Sequence, residues 1–362
     1  MYHSIKVRIM KKIFLCLLLL ATGSVYAQTM SSDEQAAAIE RLTREVEQLK
    51  AESQTHTKWD KVVAAMPKIS GYVMGRYTYN GDESTFRLRR VRLSVAGDIG
   101  KKIDYKFQAE LSSFKLLDAY FNYKPFEQFK VKVGQFKVPF SIENTEYSPT
   151  KIILIDHPMG MQRLMGFDEK IGETTLKNTG RELGINLHGS VLNKALSYDL
   201  AVFNGAGLNT TDNNKSKDVV GRLIYSPIQG LRVSGSYYWG EFGEEFYARE
   251  RWTVGAAYDK GALIARAEYI AGTTGFEDAE IDSEGWYALA GWRFCDGKWS
   301  VAARYDTFSE NTEVSALDQT NYTVGVAWKP IKNFRMQLNY QHEDRGSKGH
   351  RNCVMVQATA SF

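Results

Sequence analysis

From residue 69 to the C-terminus, apolar and polar residues alternate along the chain in sixteen separate runs. In the last run, Val354, Val356 and Phe362 fall on one face, whereas Gln357 and Thr359 fall on the other. A period of two is typical of a β-strand, and the runs have about ten residues, the length of a tilted strand that crosses a membrane. Strands of soluble sandwiches are shorter, with about five or six residues. The pattern therefore predicts an all-β fold, a 16-stranded antiparallel transmembrane β-barrel over residues 69–362.

The connections between these runs alternate between short turns and longer polar segments. Asp296-Gly297 and Lys329-Pro330 mark short turns, whereas residues 205–217 and 343–350 are longer and polar. An outer-membrane barrel with both termini in the periplasm has short turns at one rim and long loops at the other. The connections therefore support the barrel independently of the strands.

The connection from Val138 to Gly180 is longer than the others and differs from them in composition. It contains Ile152, Ile155 and Met161 among other apolar residues, more than a loop surrounded by water normally carries. We expect residues 138–180 to fold into the barrel and to constrict the pore. A surface lid, or a loop that contacts another subunit, is the alternative.

The N-terminal residues have a different pattern, typical of a segment removed during export. Four cations between Lys6 and Lys12 precede the apolar run 13–21, and Val25-Tyr26-Ala27 offers small residues for cleavage. This order predicts a cleaved signal peptide over residues 1–27. The apolar run is about half of the roughly 20 residues that a membrane-spanning helix needs, which argues against an anchor.

Residues 28–54 are predicted to form a periplasmic coiled-coil helix. Ile39, Leu42, Val46 and Leu49 follow one another at intervals of three, four and three residues, as in an a/d seam. Two heptads are too short to be stable alone, so the helix is expected to pair with copies of itself. A solvated amphipathic helix, or one packed on its own domain, remains the alternative. Residues 55–68 are predicted to be a linker.

The charge of the chain gives no support to a nucleic-acid partner. The sequence has 46 Lys and Arg against 42 Asp and Glu, and the signal peptide holds four of the cations and no acid. The exported chain would therefore have no net charge, whereas nucleic-acid-binding proteins are usually basic. It would keep two cysteines, Cys295 and Cys353, and the sequence does not decide whether they pair.

Three segments resemble the phosphate-selective porin O and P family. Residues 86–92 read Phe-Arg-Leu-Arg-Arg-Val-Arg, residues 118–123 read Asp-Ala-Tyr-Phe-Asn-Tyr, and residues 133–141 read Val-Gly-Gln-Phe-Lys-Val-Pro-Phe-Ser. The resemblance covers residues 69–362 and implies a trimeric channel in the outer membrane of a Gram-negative bacterium. It implies small anionic solutes, with phosphate or polyphosphate among them, and contact with outer-membrane lipid and lipopolysaccharide. Phe362 is similar to the terminal residue by which such barrels are recognised for insertion.

An anion that loses water in a narrow pore can be held by guanidinium and ammonium groups, so cations are expected on the lumen face. The alternation of each run places ten cations there: Arg76, Arg90, Arg92, Lys106, Lys132, Arg222, Arg232, Arg266, Arg304 and Arg335. Lys137, in the third motif, is expected near the constriction. The same alternation places six acids in the lumen: Glu110, Asp118, Glu182, Asp199, Glu268 and Asp306. The excess of four cations predicts an anion path. In the alternative, the cations pair with facing acids and only brace the wall.

These observations predict a passive outer-membrane porin with a preference for anions. The alternatives are a general or other-nutrient porin without that preference, and a structural barrel that does not conduct. An enzyme is not expected, because His188 in the lumen has no accompanying nucleophile motif. The acidic residues between 275 and 284 lack the spacing of a calcium loop, so neither a metal nor a cofactor is expected.

Overall fold

The computed structural model of the protein describes residues 33, 37, 40–48, 66–171, 174–212, 214–276 and 279–362. Residues 1–66 and 67–362 form two separate compact units. In the first unit, residues 40–48 are helical, and Leu42 and Val46 of the predicted seam are exposed on this helix. The signal peptide, Ile39, Leu49 and residues 55–65 of the linker lie outside the described residues.

The second unit is built from antiparallel strands that pair in chain order. The strands of the wall are β1 (Lys68–Tyr79), β2 (Ser84–Ile99), β3 (Ile103–Glu110), β4 (Lys115–Tyr123), β5 (Lys130–Lys137), β8 (Arg181–Val191), β9 (Leu196–Phe203), β10 (Asp218–Tyr225), β11 (Leu231–Trp239), β13 (Tyr247–Lys260), β14 (Leu263–Phe276), β15 (Ala279–Phe294), β16 (Trp299–Ser309), β17 (Gln319–Ile331), β18 (Phe334–Asp344) and β19 (His350–Ser361). The shorter elements are α1 (Ile142–Glu146), α2 (Met159–Leu164), β6 (Glu169–Ile171), β7 (Thr174–Leu176) and β12 (Glu241–Phe242).

The wall closes because β1 pairs with β19. The register runs from Tyr72 opposite Ser361 to Tyr79 opposite Val354. At one rim, the Phe362 amide donates to the Gly71 carbonyl oxygen at 3.0 Å, so both ends of the barrel lie at the same rim. The predicted 16-stranded antiparallel β-barrel is confirmed.

The two faces of the wall differ as the alternation predicts. On β15, Tyr287 and Leu289 are buried inside, whereas Trp286 is exposed outside. Outside, the Trp286 and Tyr305 rings lie 4.9 Å apart and the Tyr305 and Tyr322 rings lie 5.3 Å apart. Such aromatic contacts are typical of the girdle of a membrane barrel. Among the described residues, no helix is long and apolar enough to cross a membrane.

One connection of the barrel is more ordered than the sequence indicates. Residues 272–283 resemble a polar loop, but β14 and β15 continue through most of this stretch, with Gly272 opposite Ser283. The Thr273 hydroxyl donates to Asp282 at 2.7 Å on the outer face. Because a strand can remain paired where its outer face is polar, the change of composition marks the end of the apolar belt rather than the end of the strand.

The long loop, residues 138–180, contains α1, α2, β6 and β7 and packs against the inner face of the wall. Met161 and Met165 join one buried apolar cluster with the wall residues Phe203, Tyr238 and Ile270. A second cluster unites residues 153 and 154 of the loop with lumen-facing residues of β14, β15 and β16. The apolar composition of the loop is therefore explained by contacts inside the barrel.

Candidate functional site

A β-bulge places an additional arginine in the lumen. Met74 of β1 pairs with Arg90 of β2, but the next residue, Gly75, pairs with Leu88. Arg89 is therefore the extra residue of β2, and a bulge disturbs the strict alternation of faces. Arg89 is half-buried and Arg90 is only 5% exposed, although neighbouring positions should face opposite ways. The alternation alone could not identify Arg89, because the sequence does not reveal the bulge.

One carboxylate next to this bulge is bound by one arginine and lies in the electrostatic field of two others. Arg76 donates to Asp156 of the long loop through two nitrogens, at 2.8 and 2.9 Å. Burial would raise the pKa of Asp156, but Arg76, and after it Arg89 and Arg90, hold that pKa well below its ordinary range. We call Arg76, Arg89, Arg90 and Asp156 the bulge cluster. It carries three positive charges and one negative charge.

The bulge cluster contains donors that the described residues do not satisfy. The Arg90 guanidinium contacts only the Met74 sulfur, at 3.9 Å, and Arg89 has no hydrogen bond to the described part of the chain. The Tyr72 hydroxyl lies on β1, the strand of Arg76, and is buried without a partner among the described residues. A buried cation without a partner is costly. A bound oxyanion would supply the missing acceptors.

Beside the bulge cluster, a cavity of about 590 Å³ runs from the rim that bears the termini to the long loop. We call this cavity the vestibule. Its lining includes six cations, namely Arg92, Lys106, Lys132, Lys137, Arg181 and Arg222. It includes three carboxylates, those of Asp118, Asp199 and Glu146. Five of the cations were predicted, and together the lining residues leave the vestibule positive.

Asp118 forms ion pairs with two of the vestibule cations. It contacts Lys106 at 2.5 Å and Arg181 at 2.6 Å. Two of the other cations have no carboxylate partner among the described residues. Lys132 lies over the Tyr120 ring at 5.1 Å, and Lys137 donates to the Asn144 carbonyl oxygen of the long loop. No acid of the described chain therefore competes with a solute for these two lysines.

The two remaining cations of the vestibule also form ion pairs with carboxylates. Arg222 contacts Asp199 at 2.8 Å, and Arg92 contacts Glu110 at 2.9 Å. These pairs agree with the alternative expectation that some cations brace the wall against facing acids. A paired guanidinium contributes less to an anion path, since its charge is already balanced.

The remaining predicted cations hold the long loop. Arg266 contacts Glu143 at 3.1 Å, and Arg304 donates to the Asp156 carbonyl oxygen at 2.7 Å. Arg335 donates to the Ile152 carbonyl oxygen at 2.9 Å. Arg232 similarly contacts Glu146 at 2.9 Å. These arginines lie in the lumen, as the alternation predicts, but each of them contacts the long loop.

Glu143 is one of the buried carboxylates that anchor the loop. It is 2% exposed and accepts hydrogen bonds from Arg266 and from the Tyr287 hydroxyl, the latter at 3.0 Å. His157 Nδ1 lies 3.3 Å away. Burial raises the pKa of Glu143, but the hydrogen bond from His157 and the charge of Arg266 lower it to about 2. The carboxylate is therefore ionised at neutral pH.

Besides Arg89, sequence reasoning missed three arginines that contribute to the site or to the loop. Arg249 and Arg251 bind Glu169 of the long loop at 2.8 and 3.0 Å, and all three are buried. Both arginines have lumen parity on β13, so the alternation could have identified them. Arg181 has outward parity relative to Asn186, and it is buried because it lies at the point where the loop joins β8.

The remaining chemistry of the described residues is limited. In the parts of the chain that the structure describes, no group of three or more His, Cys, Asp or Glu could hold a metal ion. Cys295 is exposed and Cys353 is buried, and both are free thiols. This settles the pairing that the sequence left open.

Comparison with known proteins relates the whole barrel to channels. The family model described as phosphate-selective porin O and P matches residues 70–242 and 233–361. The anion-selective porin from Comamonas acidovorans has a TM-score of 0.65 and 16% identity, covering 82% of this chain and 99% of that one. For OprB from Pseudomonas putida the values are 0.65 and 11%, with coverages of 84% and 96%. The trimer form of OmpT from Vibrio cholerae gives 0.61 and 12%, with coverages of 82% and 99%. No curated protein matches the chain.

Proposed function

Because the chain belongs to the phosphate-selective porin O and P family, we propose that it is a passive outer-membrane channel that prefers small oxyanions, with phosphate or polyphosphate among them. The family resemblance seen in the sequence is confirmed. The observation that carries the preference is the bulge cluster, in which three guanidiniums face one carboxylate and Arg90 has no charged partner among the described residues. This arrangement favours a solute that brings negative charge and several acceptor oxygens.

The vestibule supports the same preference over a longer distance. Its lining carries twice as many cations as carboxylates, and Lys132 and Lys137 are not neutralised by an acid of the described chain. Walls of low dielectric constant strengthen the field inside such a passage and raise the local concentration of anions. We infer that anions are concentrated in the vestibule and exchange with the bulge cluster, while the long loop restricts the lumen between them.

The experiment that tests this function is the reversal potential of the full chain in a planar bilayer. With a tenfold gradient of potassium chloride and the dilute side at 0.1 M, we expect a potential of the sign that chloride permeation produces. Inorganic phosphate should reduce the chloride current, because both ions would compete for the bulge cluster. A potential near zero or of cation sign would contradict the proposed preference, and the absence of any conductance would contradict a channel.

We also propose that the chain is exported with a signal peptide, residues 1–27, and assembles as a homotrimer through a periplasmic coiled-coil helix, residues 28–54, joined by a linker, residues 55–68. Leu42 and Val46 support this proposal because both are exposed on the helix, at 42% and 46%. Apolar side chains at a and d positions stabilise a helix only when a partner helix covers them. Contacts with outer-membrane lipid and lipopolysaccharide are proposed for the outer face.

Replacing Leu42 and Val46 by serine should lower the temperature at which the trimer dissociates on a semi-native gel. The double variant Arg41→Ser/Glu45→Ser is the control, because these residues lie on the same helix but outside the seam. We expect a decrease of roughly 5 to 10 °C for the seam variant, since each lost apolar contact costs on the order of 1 kcal/mol. Equal dissociation temperatures in both variants would show that the helix does not join the subunits.

A further inference from the structure

A second, smaller cavity lies at the rim opposite the termini. Its volume is about 220 Å³, and we call it the mouth site. Its lining consists of Arg163, Glu310, Ala316, Leu317, Gln319, Arg345, Lys348 and Arg351. Arg163 belongs to α2 of the long loop, whereas the others come from β16, β17, β19 and the connections that flank them. The cavity is therefore assembled from distant parts of the chain.

The wall of the mouth site is fixed by close backbone packing. A 3₁₀ turn at Ser315–Leu317 contacts another at Gly346–Lys348. Gly346 has a φ of 56°, and a Cβ atom there would lie 2.5 Å from the Ala316 carbonyl oxygen. Any other residue would clash and would also be strained in this conformation. Glycine therefore lets the two connections meet and close one side of the cavity.

Two of the four cations that line the mouth site form ion pairs with carboxylates. Arg163 contacts Asp168 at 2.7 Å and Arg351 contacts Glu343 at 2.6 Å, so both are paired. Arg345 is different, because the only hydrogen bond of its guanidinium within the described chain is to the Lys348 carbonyl oxygen, at 3.3 Å, and its Nε is buried without a partner there.

Lys348 is the second cation of this cavity without a carboxylate partner in the described chain. Its ammonium forms no ion pair with the described residues, and the only lining carboxylate, that of Glu310, contacts Lys170 at 2.8 Å. Two neighbouring cations thus form no ion pair with a carboxylate of the described chain. They lie on one short connection and line the same cavity.

Part of the lining of the mouth site lies on the lumen face of the wall. Arg351 shares the inner face of β19 with Cys353 and Met355, which are buried. The aromatic residues of the same region, Tyr322 and Tyr340, are exposed on the outer face, where lipid would lie. A solute that reaches the mouth site therefore comes from water and not from the membrane.

We propose that the mouth site binds a soluble oxyanion such as phosphate before the ion enters the lumen. This inference rests on the proposed function and adds a second site to it. A water molecule occupies about 30 Å³ in the liquid, so the cavity has room for an oxyanion together with part of its hydration shell. Arg345 and Lys348 supply the charge-assisted hydrogen bonds.

The test compares Arg345→Gln/Lys348→Gln with Lys329→Gln/Lys332→Gln, which removes two exposed cations at the opposite rim. Chloride current through the full chain is recorded in neutral lipid, and inorganic phosphate is added first to one side and then to the other. In the mouth variant, the phosphate concentration that halves the current should rise on one side by on the order of tenfold, which corresponds to about 1.4 kcal/mol. The control should retain the behaviour of the parent protein on that side.

The outcomes separate the two proposals. If the parent is selective for anions but the mouth variant keeps its half-blocking concentration on both sides, the mouth site is refuted and the proposed function stands. If the parent shows no preference for anions, the proposed function itself fails. A shift that appears only after lipopolysaccharide is added to the bilayer would overturn the assignment to a soluble ion.

Discussion

Replacing Arg89 and Arg90 by glutamine should remove most of the preference for anions in 0.1 M salt. Both arginines belong to the bulge cluster, and neither has a carboxylate of its own among the described residues. At an effective dielectric constant of roughly 20, a unit charge about 6 Å from an ion contributes on the order of 3 kcal/mol. The loss of two such charges should move the reversal potential strongly toward the cation value.

The salt dependence of this effect separates the field of the arginines from a change of shape. The Debye length is about 10 Å at 0.1 M and about 3 Å at 1 M, so the shift should be largest in dilute salt. The control is Arg92→Gln/Glu110→Gln, which removes a neighbouring buried pair joined at 2.9 Å and leaves the net charge unchanged. If the bulge variant remained as selective as the control at 0.1 M, the arginines would have only a structural role.

The fold could be predicted from the sequence because each strand repeats a local rule. Residues such as Tyr287 and Trp286 alternate between a filled lumen and an apolar belt, and this alternation is visible without knowledge of the neighbouring strands. The extension of β14 to Phe276 and the start of β15 at Ala279 were not predicted, because the outer face there is polar. Alternation of apolar and polar residues therefore identifies a strand only where the outer face of the wall is apolar.

The site was predictable only as far as the alternation holds. Arg76 and Arg90 have the expected lumen parity, whereas Arg89 depends on a bulge that involves the register of β1 and β2. The choice between bracing and an open anion path depends on residues distant in sequence. Asp156 and Glu143, both on the long loop, determine which guanidiniums already have a carboxylate partner. No local pattern of the sequence contains this information.

Replacing Glu143 by glutamine should release the long loop and raise the single-channel conductance severalfold. The change leaves Arg266, which is 4% exposed, without the carboxylate that it contacts at 3.1 Å. Removing one partner of a buried ion pair costs about 3–5 kcal/mol. The wall has its own backbone pairing, so we expect the barrel to remain folded while the loop moves away from the lumen.

Glu146→Gln is the matched control for this prediction. Glu146 lies on the same short helix but is 26% exposed, and it contacts Arg232 at 2.9 Å at the edge of the vestibule. A partly solvated pair contributes about 0–1 kcal/mol, so the loop should stay in place and the conductance should change little. Because a negative charge leaves the vestibule, this control should become more selective for anions than the parent protein.

Acid should imitate Glu143→Gln, and the direction follows from the two pKa shifts at this anchor. The pKa of Glu143 is lowered to about 2, and burial lowers the pKa of His157 from its ordinary value. Both groups bind fewer protons in the folded loop than in a released one, so the anchor is strongest near neutral pH and weakens as the pH falls. The conductance of the parent should therefore rise between about pH 6.5, the ordinary pKa of histidine, and about pH 2, where Glu143 is protonated. Glu143→Gln should show a much smaller rise, because its loop is already released. An identical rise in both proteins would place the acid-sensitive contact elsewhere, and Glu169 with its two arginines would be the next group to test.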